Sequence, residues 1–240
     1  MKFLNCLFLT SVLTIPIASA ALYSDGHGDI GVEYENGELH LHYHLGGAGS
    51  DYAVVGGEFV FGEHYEPSEI EVNIPDGLRS TLTGDFPLLG ATAGSSVWLL
   101  PDGDPYPVTA PFLGFSTEDL DPTQWGDIRF SLGNVTSPSG SGYFAMWGGL
   151  SGGGIEAYLS TADGAAPNFF DISGAGHVHH FLGFTEAGVW QIELTASGVY
   201  LPDGTTKSAT ETFTFHVVPE PSSCLALGAS VIALSLRRRR

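Results

Sequence analysis

Residues 176–197, GHVHHFLGFTEAGVWQIELTAS, decide how the chain is read. In the second half Val189, Gln191, Glu193 and Thr195 alternate with Trp190, Ile192, Leu194 and Ala196, the period of two that marks a half-buried β-strand. The first half carries His177, His179 and His180. Side chains two apart on an extended segment share a face, about 7 Å apart at Cα, so His177 and His179 can converge on one ion while His180 points away. Transition-metal sites take three or four ligands, so partners must come from elsewhere.

The N-terminal part of the chain supplies them. Asp25-Gly26-His27-Gly28-Asp29 is a glycine-flanked turn with one imidazole and two carboxylates. In residues 38–45, ELHLHYHL, every even position is ionisable (Glu38, His40, His42, His44) and every odd one apolar or aromatic. Seven of the nine histidines fall in these three clusters, a concentration that points to ligation. The competing reading for His40, His42 and His44 is the wet face of an antiparallel strand. His64 and His216 read as structural residues, and Asp119 with Asp121 as a solvated turn in preference to a weak calcium site.

The 240 residues carry 33 glycines and 14 prolines, with no long 3.6-residue period away from the termini. The expected fold is all-β: an antiparallel β-sandwich, immunoglobulin- or jelly-roll-like, of about ten strands. Strands are expected at residues 28–35 and 38–45, joined by the Asn36-Gly37 hairpin signal, and at 52–61 with a Gly56-Gly57 bulge. Others are expected at 69–74, 96–100, 125–135, 142–147, 154–160 and 209–218, with residues 105–124 as a proline-rich acidic stretch and 167–176 as a loop. Pairing the first two strands brings His27 and His44 toward one edge. The Leu-Pro-Asp-Gly turn at 201–204 resembles that of a closing sandwich hairpin.

Between residues 3 and 236 only Arg79, Arg129 and Lys207 face all 27 carboxylates, a net charge of −24. So acidic a body should not bind nucleic acid, whose recognition rests on neutralising phosphates; cations are its natural small partners. Cys6 and Cys224, the two cysteines, lie in the terminal segments, so a metal site in the body must use histidine and carboxylate.

Residues 1–20 read as a signal peptide, with Lys2, an apolar core and the small-x-small boundary Ala18-Ser19-Ala20 for signal peptidase. Residues 218–240 run through Pro219-Glu220-Pro221 and an apolar stretch of about 13 residues, short of the roughly 20 of a comfortable membrane span, to Arg237, Arg238, Arg239 and Arg240. The arginines would hold that helix transiently in the inner membrane. This tail resembles the PEP-CTERM sorting signal. The resemblance implies an exosortase that cuts near Pro-Glu-Pro and passes the protein to the outer surface or extracellular matrix of a Gram-negative-type bacterium.

Between the two ends, residues 21–217 are expected to form one domain. Gly26-His27-Gly28-Asp29-Ile30, Asn36-Gly37-Glu38-Leu39, Gly176-His177-x-His179 and Phe184-Thr185-x-x-Gly188-x-Trp190 resemble the choice-of-anchor M domain of bacterial surface proteins. That family's late motif runs approximately G-H-x-H-x-N-W-x-F-T-x-x-G-x-Y. Phe181 and Leu182 replace its Asn and Trp, leaving His180 as a candidate to supply what the asparagine contributes, and Trp190 replaces the tyrosine. The resemblance, with the residues themselves, implies a divalent metal site, zinc foremost, of His27, His177 and His179 completed by Asp29 or His44. His40, His42, His180 and Asp25 are alternative or supporting ligands.

The expected function is a non-enzymatic, exported, metal-binding surface protein. The alternatives are a carbohydrate- or matrix-binding module, with Trp98, Trp125, Tyr143 and Trp147 stacking on polysaccharide, and a zinc hydrolase. The hydrolase is weakened by the absence of a His-Glu-x-x-His helix or a Gly-x-Ser-x-Gly elbow.

Overall fold

The computed structural model describes residues 20–219. Ala18, Glu220, Pro221, the four terminal arginines and the expected C-terminal helix lie outside the described residues, as do residues 1–19 of the expected signal peptide. In chain order the strands are β1 (Ala21–Glu35), β2 (Glu38–Leu45), β3 (Ala53–Val55), β4 (Glu58–Val60), β5 (Glu63–Tyr65), β6 (Ile70–Ile74), β7 (Arg79–Thr81), β8 (Ser96–Leu100) and β9 (Pro111–Ser116). They continue with β10 (Trp125–Thr136), β11 (Phe144–Gly149), β12 (Ile155–Ser160), β13 (Phe169–Ile172), β14 (His177–His179), β15 (Phe181–Phe184), β16 (Gly188–Tyr200) and β17 (Thr205–Val217). No helix among the described residues is long and apolar enough to cross a membrane.

The all-β architecture agrees with the sequence reading, and two details correct it. The strands number seventeen among the described residues, not ten, and the larger sheet is mixed: β1 runs parallel to both β6 and β9, and β6 runs parallel to β17. One sheet of twelve strands follows the order β13-β10-β16-β17-β6-β1-β2-β5, with β3, β4, β9 and β14 attached through β1. The other holds five strands, β12-β11-β15-β8-β7, all antiparallel.

A single apolar cluster draws on both sheets, which is the packing of a sandwich. Trp190 of β16, 0% exposed, sits 5.5 Å from the ring of Phe184 in the smaller sheet, and Phe184 lies 5.5 Å from Phe215 of β17. Burying each such side chain stabilises the fold by about 1.5–3 kcal/mol. The far face of the smaller sheet is covered separately by Leu88 and Leu89 of a 3-10 turn, against Val97, Ala145 and Trp147.

Local chemistry explains the turns. Asn36 and Gly37 adopt φ of 54° and 90° in the β1–β2 hairpin, left-handed values that a primed turn requires and these residues tolerate. Gly56 and Gly57 (φ 60° and 89°) form a second such turn, between β3 and β4, and not the expected bulge. The β16–β17 hairpin closes over residues 201–204 as read from sequence. Strand β9 lies inside the proline-rich acidic stretch where no strand was expected, and β13 inside the expected 167–176 loop. Pro111 opens β9, where the missing N–H costs least, and Leu113 and Phe115 are buried. Trp98, Trp125 and Trp147 are 6%, 4% and 6% exposed, so these three are core residues and not sugar platforms.

Candidate metal centre

The alternation of β1 and β2 sends Ile30, Val32, Leu41, Tyr43 and Leu45 into the core. Their neighbours His27, Asp29, Gly31, Glu33, His40, His42 and His44 therefore face the outer side of the larger sheet. Register then aligns the chemistry across strands. Asp29 pairs with His44 on one side and with Gly114 of β9 on the other, and Gly114 pairs with His179 of β14. His44 in turn pairs with His64 of β5. One row across five strands thus reads His64, His44, Asp29, Gly114, His179.

Gly114 lets the row close. A Cβ there would collide with Asp29 Oδ1 and come within 2.7 Å of His179 Cε1. With only hydrogen at that position, the carboxylate of β1 and the imidazole of β14 reach toward each other over the intervening strand. His27 and His177 complete the group. One donor atom from each of His27, Asp29, His177 and His179 lies within 4.8 Å of all the others.

The three imidazoles present the same nitrogen. His177 Nε2 is 2.6 Å from His179 Nε2 and 3.4 Å from His27 Nε2. The Asp29 oxygens lie 3.3 Å from His177 Nε2 and 3.5 Å from His27 Nε2. The contacts from behind fix the rings. His27 Nδ1 bonds Asp51 Oδ2 at 2.9 Å, and His177 Nδ1 is 4.0 Å from Glu118 Oε2. The His179 ring stacks on Phe112 at 3.8 Å between centroids and 9° between planes. A carboxylate on the far nitrogen is how metal-binding histidines are usually oriented.

Two buried polar atoms of this group have no hydrogen-bond partner. Asp29 is 5% exposed, and its Oδ1 is without a hydrogen-bond partner although His177 lies within ion-pair range; His179 Nδ1 is also unpartnered. Such atoms are rare in folded proteins because their desolvation goes uncompensated. The Asp29 carboxylate holds the His177 pKa above the ordinary imidazole value. Burial, the dominant cause, pushes His179 down to about 4 and keeps it neutral, the ligating form.

The other sequence candidates go elsewhere. His44 and His42 face Asp119 at 3.8 Å and 3.4 Å and pack on His64, whose ring centroid is 4.6 Å and 4.4 Å from theirs. His40 is exposed on the same strand. His180 turns to the opposite side, 4.4 Å from the Tyr158 ring, with its pKa lowered by burial. Asp25 accepts a hydrogen bond from the Tyr52 hydroxyl at 3.1 Å. Asp119 does not join Asp121, which instead accepts bonds from Thr123.

Sequence reasoning missed Asp51, Gly114, Glu118 and the participation of His64 and Asp119. Each sits in a loop or a strand of six residues or fewer, where no period singles it out. The adjacent Glu118 and Asp119 face different groups: the loop after β9 crosses the sheet face, with Glu118 near His177 and Asp119 near His42.

In the comparison with known families, residues 217–240 match the PEP-CTERM protein-sorting motif. That motif supports export, a C-terminal membrane-anchored sorting segment and processing by an exosortase. Searches of curated proteins and of solved structures find no match.

Proposed function

We propose that this chain is a non-enzymatic, surface-sorted β-sandwich protein that binds a divalent transition metal through His27, Asp29, His177 and His179. The observation that carries the reading is the convergence of three Nε2 atoms and a buried carboxylate, drawn from segments 150 residues apart. Three imidazoles and one carboxylate with no thiolate suit zinc. Four protein donors fill a tetrahedral shell, whereas a catalytic zinc keeps one position for water; this favours a structural or scavenging ion over a hydrolase. Membership of the body among choice-of-anchor M domains belongs to the same proposal and rests on the His27–Asp29 and His177–His179 motifs.

Elemental analysis of protein purified without a histidine tag tests it. The wild type is expected to carry zinc, and the His177→Ala/His179→Ala variant to carry one equivalent fewer per chain. Zinc content unchanged by the double substitution, or a wild type that takes up no zinc, overturns the reading.

A further inference from the structure

Beside the first group, on the same outer sheet face, stand His42 and His44 of β2, His64 of β5 and Asp119 of the loop after β9. His42 is 3% exposed, and neither of its ring nitrogens has a hydrogen-bond partner. An imidazole so deeply buried ordinarily satisfies at least one nitrogen. Asp119 Oδ2 instead stands between His42 Nε2, at 3.4 Å, and His44 Nδ1, at 3.8 Å.

His64 closes the group from the sheet edge. Its ring stacks on His42 with 20° between planes, and its Nδ1 lies 3.9 Å from Glu33 Oε2. Donor atoms of His44, His64 and Asp119 all lie within 4.8 Å of one another, as do those of Glu33, His42 and His64. The backbone makes room as it does at the first group: a Cβ on Gly31, the cross-strand partner of His42, would come within 2.8 Å of His42 Nε2.

We propose that His44, His64 and Asp119 form a second divalent transition-metal site, with His42 stacked on the His64 ring and 3.4 Å from the Asp119 carboxylate, so that one sheet face holds two ions per chain. The donor set, two imidazoles and a carboxylate, has no residue in common with the first group, so this site does not depend on the first being correct. The two groups flank one cleft, lined by His27, Asp29, His44, Asp51, Glu118 and His177. An ion entering the cleft meets His44 on one wall and His27 and His177 on the other. The cleft's three carboxylates supply the attraction that draws cations in.

The test is zinc stoichiometry of the full chain, prepared without a histidine tag, stripped with chelator, reloaded and freed of excess metal. Two zinc per chain are expected in the wild type, one in His64→Ala, one in Asp119→Ala, and two in His40→Ala, a control on the same strand. The His64 and Asp119 side chains are 43% and 31% exposed, so both can be removed without opening the core. A near-ultraviolet dichroism spectrum like that of the wild type identifies folded variants. A count unchanged in both His64→Ala and Asp119→Ala overturns the proposal, as does a wild type with a single zinc that vanishes in His177→Ala. If His177→Ala keeps the full complement while His64→Ala loses one, this site stands and the first reading falls.

Discussion

Gly114 has no chemistry of its own, yet it sets the distance between Asp29 and His179. The β1 and β14 strands are separated by β9, so their side chains meet only if the strand between them presents no Cβ on that face. Gly114→Ala should therefore weaken zinc binding by about 10–100-fold, the effect of disturbing the support of metal ligands, while overpacking costs about 1–3 kcal/mol of stability. A competition titration with a chromogenic chelator reads the first and urea denaturation the second; an affinity within twofold of wild type would show that the donors do not meet over Gly114. Nothing in the sequence around Gly114, PFLGFS, flags it, because the steric demand comes from residues 85 positions before and 65 after. The parity of His177 and His179 was legible, since two-residue spacing on a strand is a local property.

Among elements, the long strands and the short β6, β8, β11 and β12 were legible, whereas β5, β7, β9 and β13 were not. Strands β1, β2, β16 and β17 each present an alternating face and a turn with a recognisable signature, Asn36-Gly37 or Leu-Pro-Asp-Gly, but β1 begins at Ala21 and takes in the Asp25–Asp29 stretch read as a turn, and β17 begins at Thr205. Strand β9 reads as a continuous apolar run because it is a parallel partner of β1, with one side in the core and the other under the site. The energetic anchor of the β16–β17 hairpin is Trp190, buried to 0% and donating its indole N–H to the Glu186 carbonyl at 3.0 Å. Trp190→Ala should cost about 3–5 kcal/mol, seen as a lower urea midpoint at unchanged slope. A loss under 1 kcal/mol would mean that the two sheets do not depend on this contact.

For the molecule as a whole, an ion at the first group would tie β1, near the start of the body, to β14, late in it. Zinc held free at 100 times its Kd should stabilise the fold by about 2.7 kcal/mol. For about 200 residues, that raises Tm by roughly 5–10 °C. The pH dependence has a defined sign. The Asp29 carboxylate raises the His177 pKa in the metal-free fold. The proton's own stabilising contribution is therefore complete below about 6.5, the unfolded value, and is lost as pH rises through the folded value. Zinc needs that ring neutral, so its contribution runs the opposite way. The zinc-dependent rise in Tm should be full at pH 8 and shrink at pH 5.5, measured at 0.15 M salt so that the acidic surface is screened. An equal rise at both would exclude His177 as a ligand.

The sequence by itself determined the β class, the acidity of the body, the lack of cysteine between residues 21 and 217, the sorting tail, and which strand face His40, His42, His44, His177 and His179 occupy. These follow from composition and from a two-residue period, which are properties of a few neighbours. Only the tertiary structure decided that β6 and β9 run parallel to β1, that His44 lies with His64 and Asp119, and that Asp29 and not His44 stands with His27, His177 and His179. Strand order and register are set by which apolar faces bury each other across the whole chain. The same imidazoles could have been grouped in several ways until that burial placed β9 between β1 and β14.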